Sequence, residues 1–125
     1  MVPQPLEGYD EFMQAIEALA ARQLDAYNRS DLDAFSDCYH PDVVVLDGET
    51  IAYTGREALK ERYRPMFEDW SFGARVTNRL TTDDHCVELE HWWRTPPGGG
   101  ERSEGILIVR YTLKDRFIGT VQFLK

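Results

Sequence analysis

The sequence predicts an α+β domain in which three helices in the N-terminal half lie inside a curved antiparallel sheet built from the C-terminal half. Three observations carry that expectation. Apolar residues recur at helical spacing through Phe12, Ile16, Leu19, Ala20, Leu24 and Tyr27. After Asp69 the pattern changes to an alternation of period two that lasts to the C-terminus. A length of 125 residues suits one hydrophobic core and leaves little room for a second.

Residues 1 to 8, with Pro3, Pro5 and Gly8, read as a flexible N-terminal arm, so the single domain runs from 9 to 125. The first helix starts near Tyr9 and ends at Asn28-Arg29-Ser30. Ser30 with Asp33 resembles a capping arrangement that opens a short second helix through Phe35 and Tyr39, closed by His40-Pro41. Val43 to Leu46 is a β-branched run ending at the turn dipeptide Asp47-Gly48, and Ile51 to Tyr53 returns as the other half of a small hairpin. Thr54 and Glu57 stand in capping-box register ahead of a third helix carrying Ala58, Leu59, Arg62, Tyr63, Met66 and Phe67. Pro65 should end or bend that helix. Four strands follow, near 71 to 82, 84 to 95, 101 to 113 and 116 to 124, joined by turns at Thr82-Asp83-Asp84, Pro96 to Gly100 and Lys114-Asp115.

Charge and motifs narrow the function classes. Twenty-two Asp and Glu against 14 Lys and Arg give a net charge of -8, so a nucleic-acid backbone or an anionic membrane would be repelled. Cys38 and Cys86 have no CxxC spacing and are expected to be reduced. Met1 to Glu7 carries neither a basic region nor an apolar stretch, which points to the cytoplasm. No metal site is expected, since His85 and His91 are six apart with no carboxylate pair at ligand spacing, and no phosphate or dinucleotide fingerprint occurs.

In the second long strand His85, Val87, Leu89, His91 and Trp93 share one face, and Cys86, Glu88, Glu90, Trp92 and Arg94 share the other. The more apolar first set is assigned to the concave side. The preceding strand presents Phe72, Ala74, Val76, Asn78 and Leu80 inward. In the third, Leu107, Val109 and Tyr111 alternate with Ile106 and Ile108. With the helices covering one side, the outer side, presenting Trp92, Ile106 and Ile108, calls for a symmetric partner and a homodimer; scattered surface hydrophobes are the plainer reading.

A long helix ending in Tyr27-Asn28-Arg29-Ser30-Asp31-Leu32-Asp33, then Tyr39-His40-Pro41-Asp42-Val43, Tyr53-Thr54-Gly55-Arg56-Glu57-Ala58-Leu59 and four strands resembles the nuclear transport factor 2-like superfamily, and within it the SnoaL-like and ketosteroid isomerase-like proteins. The resemblance runs from about Tyr9 and implies a cone-shaped, cystatin-like fold. It also implies a pocket for a small hydrophobic molecule and cofactor-independent isomerase, dehydratase or cyclase chemistry. Asp47 falls where the isomerases of that group keep a catalytic carboxylate. Gln23 stands in place of their tyrosine donor and Val109 roughly in place of their protonated aspartic acid, so their oxyanion hole is missing. The handling of a dienolate by such a donor pair therefore does not carry over.

Several side chains are candidates for the site. Asp47 is the expected base if its surroundings are apolar, and a solvated turn residue if they are not. His91, between Leu89 and Trp93, is the expected assisting acid or base, or a satisfied core histidine. Gln23 lies on the apolar stripe of the first helix, where it donates either to a ligand carbonyl or to backbone. Tyr27, Tyr53, Tyr63, Trp93 and Tyr111 can line a pocket or simply fill the core. Trp70 either closes the pocket or packs the hinge after the third helix. The competing reading is a ligand-binding or dimerisation module without chemistry.

Overall fold

The structure is a computed structural model that describes residues 14 to 124. The expected N-terminal arm and the onset of the first helix near Tyr9 lie outside the described residues. Helix α1 spans Ala15–Asn28 and α2 Leu32–Ser36; strands β1 (Tyr39–Asp47) and β2 (Thr50–Thr54) form the hairpin. Helix α3 spans Arg56–Asp69, and strands β3 (Ser71–Thr81), β4 (His85–Thr95), β5 (Ser103–Lys114) and β6 (Phe117–Phe123) follow.

The four long strands pair antiparallel in chain order, as their short connections dictate. The sheet is not wholly antiparallel, however. Its order is β2-β1-β6-β5-β4-β3, and β1 lies parallel to β6, with Val45 opposite Val121. No hairpin joins those two strands, so no tight turn sets their relative direction. The open, curved sheet packs α1 against β3 to β6 and α3 against β1 to β3, with α2 bridging the helices.

Ile16, Leu19, Ala20 and Ala26 are buried along one side of α1, as the helical spacing predicts. At its end Asn28 pairs with the backbone of edge strand β3, accepting from Ala74 N at 2.8 Å and donating to Ala74 O at 2.9 Å. Local details differ from the sequence expectation. Ser30 takes φ +57, and Asp31 caps α2 through Ala34 N. Tyr39 and His40 belong to β1 rather than to α2. Helix α3 opens without a side-chain cap, on Gly55 at φ +98, a conformation that costs glycine little. It also runs through Pro65 to Asp69, because buried Phe67 and half-buried Met66 anchor its last turn to the core.

The largest correction concerns β4. Cys86 and Glu88 are buried on the side facing the helices, so the row Cys86, Glu88, Glu90, Trp92 and Arg94 is the concave one. His85, Val87, Leu89, His91 and Trp93 lie on the convex side. A bulge in β3 is the cause. The register slips between Val76 and Asn78, so Phe72, Ala74 and Val76 face Arg94, Trp92 and Glu90. Beyond the bulge, Arg79 and Thr81 share the concave side with Glu88 and Cys86, while Leu80 is 76% exposed. Trp92 therefore leaves the outer surface, where Ile106 and Ile108 remain exposed as expected.

Candidate functional site

The concave side of the sheet encloses a chamber of 130 Å³ between α1, β1, α3 and β4 to β6. Tyr27, Phe35, Tyr63, Trp92, Leu107 and Phe123 give it aromatic and aliphatic walls. The walls are set by a wider aromatic cluster in which Tyr27 packs 4.7 Å from Phe72 and Phe35 packs 5.1 Å from Tyr63, ring centre to ring centre. Tyr63, Trp92, Leu107 and Phe123 also line a second cavity of 410 Å³, which continues outward past Val45, Asp47, Tyr53 and Arg62. The two form an inner chamber and a vestibule.

Polar groups reach the chamber from three directions. Gln23, 5% exposed, projects from α1 and donates through Nε2 to Ala20 O and to the Tyr111 hydroxyl, both at 3.1 Å. Tyr39 from β1 donates its hydroxyl to Gln23 Oε1 at 3.1 Å, and Arg56 steadies that strand by donating to Tyr39 O at 2.8 Å. In this relay Tyr111 accepts from Gln23 and keeps its own hydroxyl hydrogen to give. Burial holds the Tyr39, Tyr63 and Tyr111 phenols well above their ordinary range and lifts Tyr27 to about 12, so all four enter as neutral donors.

Glu90 and Arg94 come from β4. The Glu90 carboxylate makes no hydrogen bond or ion pair with any described residue. Burial, with a smaller push from the Glu88 charge, lifts it to about 7. Arg94 lies over the Trp92 ring, its guanidinium carbon 4.5 Å from the centroid, and its buried Nε has no hydrogen-bond partner among the described residues. Gly105 makes room for Trp92: it sits opposite on β5, where a Cβ would collide with the indole. A carboxylate that changes charge near neutrality, inside an aromatic cage and beside neutral phenols, is equipped to take a proton from a bound molecule and return it.

The structure brings Gln23, Tyr27, Tyr63 and Tyr111 together in the chamber. Asp47 and Tyr53 line the vestibule, where Asp47 is exposed. Val109 is fully buried in the core, and Trp70 packs half-buried against it. His91 and Trp93 face the convex side, so Asp47 and His91 are not brought together; Trp93 instead covers Gly73 and stacks under Arg102. Sequence reasoning missed Glu90, Trp92 and Arg94 as chamber residues, although their common parity was legible. Among the described residues no cluster of three His, Cys, Asp or Glu could hold a metal ion. A larger groove of 640 Å³ runs outside α1 and α2, but charges of both signs, including Arg22, Asp25, Asp37 and Arg116, line it.

The model of the SnoaL-like domain matches residues 20–118, and the chain belongs to that family. Solved structures share the fold at low identity. An uncharacterised cystatin-fold protein from Novosphingobium aromaticivorans superposes with a TM-score of 0.79 at 19% identity, over 90% of this chain and 99% of that one. The Δ5-3-ketosteroid isomerase from a Mycobacterium species gives 0.79 at 14%, over 89% and 92%. A Mycobacterium tuberculosis protein in complex with estradiol-17β-hemisuccinate gives 0.78 at 12%, over 90% and 95%. Among curated proteins, none matches this sequence. No helix among the described residues is long and apolar enough to cross a membrane.

Proposed function

We propose that this SnoaL-like protein binds a small, ring-bearing apolar molecule in the chamber and moves a proton on it without a cofactor, as an isomerase, dehydratase or cyclase does. Glu90 is the base. The observation that carries this reading is its half-buried carboxylate, without a hydrogen-bond or ion-pair partner among the described residues and lifted to about 7 within an aromatic enclosure. A flat ligand enters through the vestibule and stacks among Tyr27, Tyr63 and Trp92, while the Tyr111 hydroxyl offers a hydrogen to its carbonyl or hydroxyl. The steroid bound by one structural neighbour and the steroid named for another are compatible with such a ligand.

NMR in deuterated water over a panel of enolisable ketones tests the reading. Wild-type protein should exchange carbon-bound hydrogen on at least one of them, and Glu90→Gln should lower that rate by about 10²- to 10⁴-fold. Full exchange by Glu90→Gln, or none by wild type on any ketone, removes the enzyme. The second reading, binding without chemistry, draws on the inner chamber being only 130 Å³, below the few hundred Å³ usual for a small-molecule site; it predicts saturable binding with no exchange.

The domain from residue 9 onward is taken as one unit, and the buried free thiols of Cys38 and Cys86 suit a cytoplasmic address. A homodimer would form through the convex surface, where Ile106, 61% exposed, lies opposite His91, and Ile108 lies opposite Leu89. Ile106→Glu should then shift sedimentation from dimer to monomer; an unchanged sedimentation coefficient excludes that interface.

A further inference from the structure

We infer that Arg94 is the oxyanion donor of this site, and that the substrate is a neutral enolisable carbonyl compound on a flat unsaturated ring, held with its oxygen against the guanidinium. The inference rests on the proton-transfer reading given above and adds the group that receives the negative charge.

Three observations point to Arg94. Its Nε is buried and unpartnered among the described residues, an unusual state for so strong a donor. Its guanidinium carbon lies 4.5 Å from the centroid of the Trp92 ring, which itself lines the chamber, so the contact restrains the group before a ligand arrives. It also forms no ion pair with any described residue, although acidic residues outnumber basic ones in this chain by 22 to 14. A guanidinium paired with no carboxylate of the described residues, at the wall of an aromatic chamber, is matched by a charge the ligand brings or develops.

The charge balance selects the neutral substrate. Glu90 as carboxylate and Arg94 as cation, both lining the chamber, are neutral in sum. When Glu90 takes the proton from the carbon next to the carbonyl, that C–H bond breaks and its electron pair passes into the new C=C bond. The carbonyl oxygen gains the negative charge, which Arg94 then faces while Glu90 is uncharged. Return of the same proton to a different carbon of the conjugated system restores the carbonyl and completes an isomerisation. A ligand already anionic would place a second negative charge beside Glu90 and disfavour its basic form.

The probe is 4-nitrophenol, whose phenolate imitates the enolate and has its own visible absorption, with nitrobenzene as the ring lacking the oxygen. Both are titrated into Glu90→Gln protein, where the amide stands for the protonated carboxyl, and into the same protein carrying Arg94→Met or Arg94→Lys. With Arg94 present, the bound dye should ionise at lower pH than the free dye. Arg94→Met should weaken phenolate binding at least ~10-fold, Arg94→Lys by less, and both should leave nitrobenzene binding within ~2-fold. Phenolate affinity independent of Arg94, or bound dye that ionises at higher pH than free dye, overturns the inference and leaves the chamber reading standing. Failure of both rings to bind defeats the chamber reading itself and this inference with it. The ionisation of the dye in Glu90→Gln alone decides the matter if neither Arg94 variant folds.

Discussion

Glu88 and Glu90 stand two residues apart on the same face of β4 and differ in what lies opposite them. Glu88, 1% exposed, meets Arg79 across the strand pair, with Arg79 Nε and Nη2 at 2.7 and 2.6 Å from its Oε2. Thr81 and Glu17 extend that cluster through a 2.9 Å hydrogen bond, and the Cys86 thiol, pushed up to about 11 by burial, leans on the same oxygen. Glu90 faces Val76 instead and opens onto the chamber. One carboxylate is tied into a buried ion pair; its neighbour has no such partner among the described residues and borders the chamber. Burial alone therefore does not mark a functional acid, and the partner across the strand separates the two.

The sharpest way to break this contrast is to orphan Glu88. Arg79→Met should destabilise the protein by about 3 to 5 kcal/mol in urea denaturation at pH 8, because a charge is left buried without its counterion. The double variant Arg79→Met with Glu88→Gln should recover part of that loss. A small effect of Arg79→Met alone would mean that Glu88 is not held as a charged pair.

A smaller effect distinguishes Glu90 by its titration. Its carboxyl is lifted from 4.5 to about 7 in the fold, so between those values the native protein binds a proton that the unfolded chain has lost. Stability must then fall as pH rises across that window, by about 2 kcal/mol once its partly open side is allowed for. Glu88, Arg94 and the phenols of Tyr27, Tyr39, Tyr63 and Tyr111 surround it, and the phenols stay neutral throughout the window. Glu90→Gln should flatten this component and raise the melting temperature above pH 7 while it removes exchange. Catalysed exchange in wild type should run the opposite way and rise with pH through about 7, since the base acts as its anion. Coincident pH profiles for stability and exchange would contradict the assignment.

How far this contrast was legible in the sequence depends on one residue of register. Counted outward from the Thr82 to Asp84 turn, Leu80 faces Val87 and Asn78 faces Leu89; continuing without a slip would put Val76 on His91 and Ala74 on Trp93. That count agrees with the usual preference for an apolar inner row, the preference that put the wrong side of β4 inward. The bulge at Thr77 cancels them by moving Val76 onto Glu90 and Ala74 onto Trp92. Where no bulge intervenes, the periodicities were reliable: Gln23 and Tyr27 follow from the stripe of α1, and Tyr111 from the alternation of β5. Three acidic or basic residues in one strand row look like a solvated face until Arg79 and the chamber are seen to account for them.

Asp47 extends the comparison to a third carboxylate, and its substitution should have the smallest effect. It lies in the vestibule on the same side of β1 as Val45, opposite Phe123 of β6 and Thr50 of β2, and is exposed. It stands at a surface open to water, outside the aromatic chamber that Glu90 lines. Asp47→Asn should keep exchange within about 2-fold of wild type and alter stability by no more than about 0.5 kcal/mol, in line with an exposed substitution. Exchange lost in Asp47→Asn but retained in Glu90→Gln would move the base to the vestibule, and the difference in burial between the two cavities would then have no bearing on which carboxylate takes the proton.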